Sequence, residues 1–437
     1  AAADATHLLS PAGLPPAHAL PSPDAPILYS CGEQREKVVL RCSGDQNVLV
    51  EFGEMELDLR LRFKAHLLMR AVREDGGIPI MDLTPGIRSL QVHFNPDRTD
   101  MKQVCERLER IINELPSLET VKIPSRVVEL PISWNDPAVR LAMKRYQQGV
   151  RPDAPWCPDN IEFIRRINGL ESIQSVYDII FNTTYLVMGL GDVYLGAPVA
   201  VPLDPRHRLV TTKYNPARIW TPENAVGIGG AYLCVYGVEG PGGYQLFGRT
   251  VQMWNRMHVT PCFKNDKPWL LRFFDQIRFY PVEPDELLDC REAFLRGRFN
   301  VKITETTFDL GEYLHYLDSI EEESAASKQR QQAAFEAERE RWKQQGLAEF
   351  VSEQPEIPEE EEALPEDAEP LNAKMTGSIW KILVEEGEQV EQGQTLIVME
   401  SMKMEFAQKA PVSGKVGKLF VHAGDVVHAG HTLLYIQ

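Results

Sequence analysis

"TGSIWKILVEEGEQVEQGQTLIV" (376–398) can be laid over "SGKVGKLFVHAGDVVHAGHTLLY" (413–435) at an offset of 37 residues, and this repeat decides the architecture of the C-terminal part. Gly377/Gly414, Lys381/Lys418, Val384/Val421, Gly387/Gly424, Val390/Val427, Gly393/Gly430, Thr395/Thr432 and Leu396/Leu433 are identical pairs. Two copies of one β-unit predict a quasi-two-fold sandwich in which each copy buries the apolar face of the other. The repeated glycines mark tight turns, where positive φ carries no Cβ penalty. Between the copies runs "ESMKME" (400–405), which becomes an exposed hairpin at the symmetric edge. Lys403 is presented there, framed by Met402 and Met404.

Upstream, the chain changes texture several times. The start, "AAADATHLLSPAGLPPAHALPSPDAP", reads as a Pro/Ala-rich tail or connector over 1–27, with neither the basic nor the apolar region of a secretory signal. "EKVVLRCSGDQNVLVEFG" predicts two strands around a turn, and "GIPIMDL" and "GIRSLQVHF" two more. In "MELDLRLRFKAHLLMRAVRE" (55–74) apolar residues at Leu57, Leu61, Phe63, Leu67, Leu68 and Val72 give one helical face, and a second helix is expected from Asp100 to about Glu114. Residues 28–125 therefore read as a small α+β domain. A second unit, 126–317, opens with helices over about 136–149, 158–168 and 171–181, with Asp136 and Asp159 as N-caps. From Tyr185 to Pro281 short apolar runs broken by Gly and Pro predict a compact β-barrel with long loops. Residues 318–370 read as an exposed helix followed by an acidic, self-repelling linker, and 371–437 as the repeat-built sandwich.

Composition narrows the function classes. With 63 acidic against 46 basic residues the formal charge is -17, which excludes a nucleic-acid or anionic-membrane surface as the main partner. No apolar run reaches the ~18–20 residues that span a bilayer. Seven scattered cysteines without a CxxC suit a reducing, cytoplasmic setting. "GLGDVYLG" (189–196) and "VGIGG" (226–230) lack the phosphate-loop lysine, so ATP binding by this chain is not expected. His422, His428 and His431 occupy loop positions of one repeat, and no metal site is expected from them.

A lysine between two methionines on a two-copy scaffold resembles the biotinyl domain of biotin-dependent carboxylases; lipoyl domains share the fold but usually lack the methionine frame. "DLTPGIRSLQVHF" (82–94), "VMGLGDVYLGAPVAVPLDPRHRLVTTKYNPARIWTP" (187–222), "AVGIGGAYLCVYGVEGPGGYQLFGRT" (225–250) and "PWLLRFFDQIRFYPV" (268–282) resemble the urea carboxylase family. They match the KipI-type, allophanate-hydrolase subunit-one-like half of its carboxyltransferase, over about 30–317, with the biotinyl domain following. The resemblance implies a multidomain α+β and β chain: a small α+β domain, a cyclophilin-like β-barrel, a helical and acidic linker, and a biotinyl β-sandwich or barrel-sandwich hybrid.

The same resemblance implies biotin joined covalently to Lys403 by a biotin protein ligase, and transfer of a carboxyl group carried on biotin to urea, giving allophanate. The carrier would be charged on a biotin carboxylase domain using ATP, Mg and bicarbonate. That domain and the KipA-type first half of the carboxyltransferase are not visible in the chain and are expected as partners.

Within the matching loops, several residues suit such chemistry. Asp192 can accept the N–H donors of urea, and Lys213, Tyr214 and Asn215 offer a cation, a hydroxyl and an amide. Gln245 and Arg249 can bind a carboxylate or a ureido oxygen. Backbone N–H groups at Gly227, Gly229, Gly230, Gly242 and Gly243 can approach an anion closely, or these glycines make barrel turns only. Competing readings keep the mechanism with guanidine as acceptor, or make the chain a non-catalytic KipI-type regulatory module or a 5-oxoprolinase-type subunit. A tethered carrier has no use without a reaction and weighs against the last two.

Overall fold

The computed structural model describes residues 26–437 except 192–195, 264–266, 349, 351–363, 366–367 and 402–403; of the side chains of residues 401 and 404 nothing is described. Asp192, Met402, Lys403, the tail up to residue 25 and most of the acidic linker lie outside the described residues. The chain divides into two compact units: residues up to Ile123 with Asp309–His315, and Pro124–Phe308 with Tyr316–Gln437.

The first unit is an antiparallel five-stranded sheet, β1 (Ile27–Cys31), β2 (Val38–Cys42), β3 (Asn47–Phe52), β4 (Ile80–Pro85) and β5 (Ser89–Phe94), in the order β1-β2-β3-β5-β4. Helices α1 (Leu59–Asp75) and α2 (Met101–Asn113) supply the other layer. Asp58 and Asp100 cap them, accepting from the backbone N–H of Arg60 and Gln103. Leu61, Ala65, Leu68 and Val72 of α1 form a stripe at helical spacing that is buried with Leu40, Val50, Leu90 and Val92 of the sheet. The helix expected over 55–74 starts at Leu59 because the Asp58 cap fixes its entry.

In the second unit β6 (Lys122–Trp134) leads into α3 (Pro137–Gly149), α4 (Asn160–Ile167) and α5 (Ile173–Asn182). Asp136 and Asp159 cap α3 and α4, as their sequence positions predict. Then come β7 (Tyr185–Gly191), β8 (Ala197–Pro202), β9 (Arg218–Thr221), β10 (Ala225–Gly229), β11 (Tyr232–Val235), β12 (Gly240–Gly242), β13 (Gln245–Arg249) and β14 (Gln276–Pro281). Seven strands follow the order β13-β10-β11-β8-β7-β14-β6, and pairing of β13 with β6 closes the barrel. Closure removes both sheet edges. Val128, Leu130, Ile132, Val187, Val226, Leu233, Phe247 and Ile277 fill the interior. Each such side chain contributes about 1.5–3 kcal/mol on leaving water. β9 and β12 form a separate two-stranded ribbon, and α6 (Pro284–Leu295) and β15 (Lys302–Asp309) complete this region, β15 beside β6; most of α7 (Leu310–Ser319), up to His315, belongs to the first unit.

The expected exposed helix is α8 (Glu321–Gln344), and one stripe of it is buried rather than solvated. Trp342 is 7 % exposed, stacks on Phe163 at 5.9 Å and meets Trp156 edge-on at 6.0 Å. Its indole N–H donates to Glu338, which also accepts from Arg166 of α4. Phe335 packs against the same cluster, and two aromatic residues in so polar a helix leave only a thin apolar stripe in the sequence.

The repeat forms two four-stranded sheets from β16 (Glu369–Asn372), β17 (Gly377–Ile382), β18 (Gln389–Val390), β19 (Thr395–Ser401), β20 (Met404–Lys409), β21 (Gly414–Leu419), β22 (Val426–Val427) and β23 (Thr432–Ile436). Their orders are β16-β23-β21-β18 and β20-β19-β17-β22. Each copy lends its short strand to the other's sheet, β18 to β21 and β22 to β17. The identical pairs Val390/Val427 and Leu396/Leu433 are buried in the shared core. The two-fold sandwich read from the sequence is the one observed.

Candidate functional site

The barrel gathers three of the sequence-predicted segments at one place. Thr211 donates its backbone N–H to Gly230 (2.8 Å), Tyr214 donates its own to Gly243 (2.7 Å), and Gln245 Nε2 donates to the Thr212 carbonyl (2.9 Å). Residues 211–215, 227–230 and 242–245 are thereby neighbours. Lys213 is exposed, with Nζ 5.4 Å from the ring centroid of Tyr244, so it offers a cation at the surface of this cluster.

Below that surface the side chains are braced. Tyr214 is 5 % exposed and donates its hydroxyl to Asn160 Oδ1 at 2.8 Å; Asn160 also accepts from the Leu246 N–H (3.0 Å). Burial raises the Tyr214 phenol well above its ordinary value, so it stays neutral and acts as a donor, not as a base. Arg218 lies over the Tyr214 ring (4.2 Å) and donates from Nη1 to the Tyr244 carbonyl (2.6 Å). Burial also pushes the Cys157 thiol up to about 12, which keeps it out of nucleophilic chemistry. Asn215 is exposed, and its carbonyl accepts from Arg151 Nη1 at 2.9 Å. We expect Tyr214→Phe to cost about 1–2 kcal/mol in denaturant unfolding, the worth of a buried hydrogen bond whose acceptor keeps one donor.

Gln245 is fully buried, and among the described residues its Oε1 has no partner, like the hydroxyl of its neighbour Thr212. These are two unpaired acceptors within one hydrogen-bonded pair of residues. Arg249 is not part of the cluster. It sits at the far end of β13, opposite Ala225, and donates from Nε to the Glu223 carbonyl at 2.8 Å.

The five glycines divide by packing. A Cβ on Gly227 would fall 2.7 Å from the Gln245 carbonyl, on Gly229 2.4 Å from the Tyr244 ring, and on Gly242 2.5 Å from Thr221 Oγ1. Those three are required by close strand packing alone. Gly230 has open space where a Cβ would stand, and Gly243 meets only ordinary contacts, the nearest at 3.4 Å. Of the five, Gly230 and Gly243 leave room beside the backbone among the described residues.

The second part of the site is the β19–β20 hairpin. Glu400 pairs with Glu405 and Ser401 with Met404, so the strands close on a two-residue connection, Met402 and Lys403. β20 is the edge strand of its sheet. The sequence places Lys403 in that connection, next to a strand that has no further neighbour in the sheet order among the described residues. The hairpin also rests against the barrel domain. Arg145 of α3 pairs with Glu405, and its guanidinium lies 4.8 Å from the Trp380 ring and 4.9 Å from that of Trp220. Arg145 lies outside every segment quoted above, and Trp220, Trp380, Thr212 and Arg218 lie within them without a signal of their own; their spatial meeting marks them.

A closed barrel bearing a polar loop cluster, joined to a two-fold sandwich whose edge hairpin is linked in sequence through Met402 and Lys403, has the parts of a group-transfer protein with a tethered carrier. Residues 38–264 match the family model described as carboxyltransferase domain, subdomain C and D, and residues 370–436 the model described as biotin-requiring enzyme. The chain belongs to the carboxyltransferase subdomain C and D family, and its C-terminal unit is a biotinyl domain. It is 36% identical over 397 residues to urea amidolyase of Saccharomyces cerevisiae, covering 90% of this chain and 22% of that protein. It is 29% identical to a putative urea carboxylase of Emericella nidulans, covering 91% of this chain and 33% of the relative. The crystal structure of Kluyveromyces lactis urea carboxylase superposes with a TM-score of 0.79 at 35% identity, covering 96% of this chain and 36% of that one. The chain thus spans about a fifth to a third of the length of these relatives. All seven cysteines are free thiols, and among the described residues no helix is long and apolar enough to cross a membrane.

Proposed function

We propose that this chain is one half of a biotin-dependent carboxyltransferase together with its carrier, and that it delivers a carboxyl group to urea to give allophanate. The observation that carries the reading is the family barrel and the biotinyl repeat in one chain, with Lys403 between Met402 and Met404 at the end of the edge hairpin. The relatives' names, urea amidolyase and urea carboxylase, supply the acceptor.

Lys403 would hold biotin through an amide to its Nζ, and the bound group would supply a carrier for the activated carboxyl. Met402 and Met404 give the attachment an adaptable apolar frame. In the barrel, Gln245 Oε1 and Thr212 Oγ1 are unpaired acceptors suited to the N–H groups of urea, and Asp192 is a further acceptor proposed from its motif. Lys213, with its free ammonium over Tyr244, stabilises negative charge on the acceptor oxygen as the carboxyl group arrives. Gly230 and Gly243 allow close approach of the backbone to that charge, while Tyr214, Asn215 and Arg249 position loops. We take residues 28–125, 126–317 and 371–437 as the three functional domains, with 318–370 between barrel and carrier.

The remaining parts are supplied by partners: a biotin carboxylase that consumes ATP with Mg and bicarbonate, the first half of the carboxyltransferase, and a biotin protein ligase. Free thiols throughout suit a cytoplasmic setting. Acceptor identity is tested by ATP turnover of the reconstituted, biotin-loaded complex with urea and guanidine supplied in parallel. Turnover that depends on urea supports the reading. Turnover that depends on guanidine keeps the transfer and replaces the acceptor.

A further inference from the structure

The biotinyl sandwich is two-fold in backbone but not in surface. Position 380 of the first copy is tryptophan; its counterpart in the second is Gly417, where a Cβ would fall 1.9 Å from the Tyr435 ring. Trp380 lies over the guanidinium of Arg145, and Arg145 in turn lies over Trp220 of β9. One cation thus bridges two indoles, one on each domain. A guanidinium is planar and weakly hydrated, so it stacks on both faces where an ammonium would not.

The turn glycines break the symmetry in the same sense. Gly387 and Gly424 are equivalent in the repeat and both have positive φ, +87° and +103°. A Cβ on Gly424 would lie 2.4 Å from the backbone carbonyl of Gln148, in the last turn of α3. A Cβ on Gly387 would meet only the flexible side chain of Lys415, at 3.5 Å. Gly424 lets the carrier come down on the helix; Gly387 serves only its own turn. The same seam, a cavity of about 30 Å³, is lined by Arg145, Trp220 and Arg218 of the barrel domain and by Trp380, Glu400 and Gly424 of the carrier. Arg218 also holds Tyr214 and the Tyr244 carbonyl, so the seam adjoins the loop cluster that carries Lys213.

We propose that the α3–β9 face is the delivery dock for the carrier and that Arg145 is the residue that positions it, using one of two pseudo-equivalent faces of the repeat. The Arg145–Glu405 pair orients the acceptor hairpin, because Glu405 is two residues from Lys403. The stack on Trp220 and Trp380 supplies the shape-specific part. The contact itself does not require the proposed acceptor, but its role in delivery rests on the carboxyl-transfer reading.

The test is backbone hydrogen exchange in the full chain, read over residues 145–149 and 378–382, for Arg145→Glu, Arg145→Lys, Gly424→Ala and Gly387→Ala. Arg145→Glu and Gly424→Ala should speed exchange at these positions by roughly fivefold or more, the effect of releasing a docked population held by a contact of this kind. Arg145→Lys should fall between, since it keeps the charge and loses the plane. Gly387→Ala carries the same turn strain and should leave residues 145–149 unchanged. Equal exchange in the Gly424 and Gly387 variants, or no change in Arg145→Glu, overturns the dock. In the loaded complex, Arg145→Glu should slow carboxyl transfer while leaving ATP-dependent charging of the carrier intact. If exchange responds as expected and urea is not carboxylated, the dock stands and the acceptor reading falls. If urea is carboxylated with exchange unaltered, the reverse holds.

Discussion

On the proposed function, a chain in which Lys403 is replaced by arginine should take up no biotin and support no urea-dependent ATP turnover in the reconstituted complex. Arginine keeps the length and the positive charge of the side chain, so the fold and the surface of the hairpin are retained. What it loses is an amine that can be deprotonated and acylated, because a guanidinium stays charged at any working pH. Intact mass before and after incubation with ligase, biotin and ATP reads the first loss, and coupled turnover reads the second. Arg145→Glu gives the informative contrast, with full biotin uptake and slowed transfer.

Breaking the Arg126–Asp275 pair should be the most damaging single change to the barrel. Both side chains are nearly fully buried, at 7 % and 2 % exposure. Arg126 Nε donates to one carboxylate oxygen at 2.9 Å, Nη2 to the other at 2.5 Å, and Nη2 also to the Leu270 carbonyl at 2.9 Å. Asp275 further accepts from the Arg272 N–H at 2.7 Å. This network ties the start of β6 to the turn that launches β14, the one parallel pairing in the closed barrel. Arg126→Met leaves a carboxylate buried without its partner, and we expect a loss of about 3–5 kcal/mol in denaturant unfolding.

The pH dependence of that loss has a definite sign. Burial raises the Asp275 carboxyl above its ordinary 3.8, more than Arg126 pulls it down. Without Arg126 the upward push is unopposed. A carboxyl raised in the folded state binds protons there more readily than in the unfolded chain, so the penalty is present at neutral pH and shrinks as pH falls through the raised value. The deficit of the variant against the parent should therefore narrow in acid. A deficit that widens in acid contradicts a buried, unpaired carboxylate as its cause.

How much of this was legible in the sequence depends on whether the determining contacts are local. The caps Asp100, Asp136 and Asp159 act within a turn of their helices, and each was readable from its place before an apolar run. The carrier was readable because its information is written twice, so the spacing of Gly387/Gly424 and Leu396/Leu433 carries the fold without any tertiary knowledge. Barrel closure was not readable, because the β13–β6 pairing joins residues more than a hundred positions apart and leaves no periodic trace. The loop cluster was half legible. Its segments were picked out by composition, but Arg249 was grouped with Gln245 on adjacency in β13 when the two ends of that short strand serve different neighbours. Glycine density likewise marked both the tightly packed Gly227, Gly229 and Gly242 and the open Gly230, which only geometry separates. Arg145 and Trp220 sit in an ordinary amphipathic helix and an ordinary short strand, and nothing but the arrival of the carrier gives them a role.

The central claim is that this chain holds both the carrier and half of the site that discharges it. The most direct measurement follows labelled carbon from bicarbonate into allophanate, using the biotin-loaded chain with a biotin carboxylase and the first carboxyltransferase half. Comparison with a Lys213→Ala, Gln245→Ala chain, whose carrier is intact, isolates the barrel. Label should appear in allophanate with the parent chain and fall by at least about a hundredfold in the double variant, with charging of the carrier unchanged. Equal labelling of urea by the parent and the variant would contradict it, by placing the whole transfer site outside this barrel.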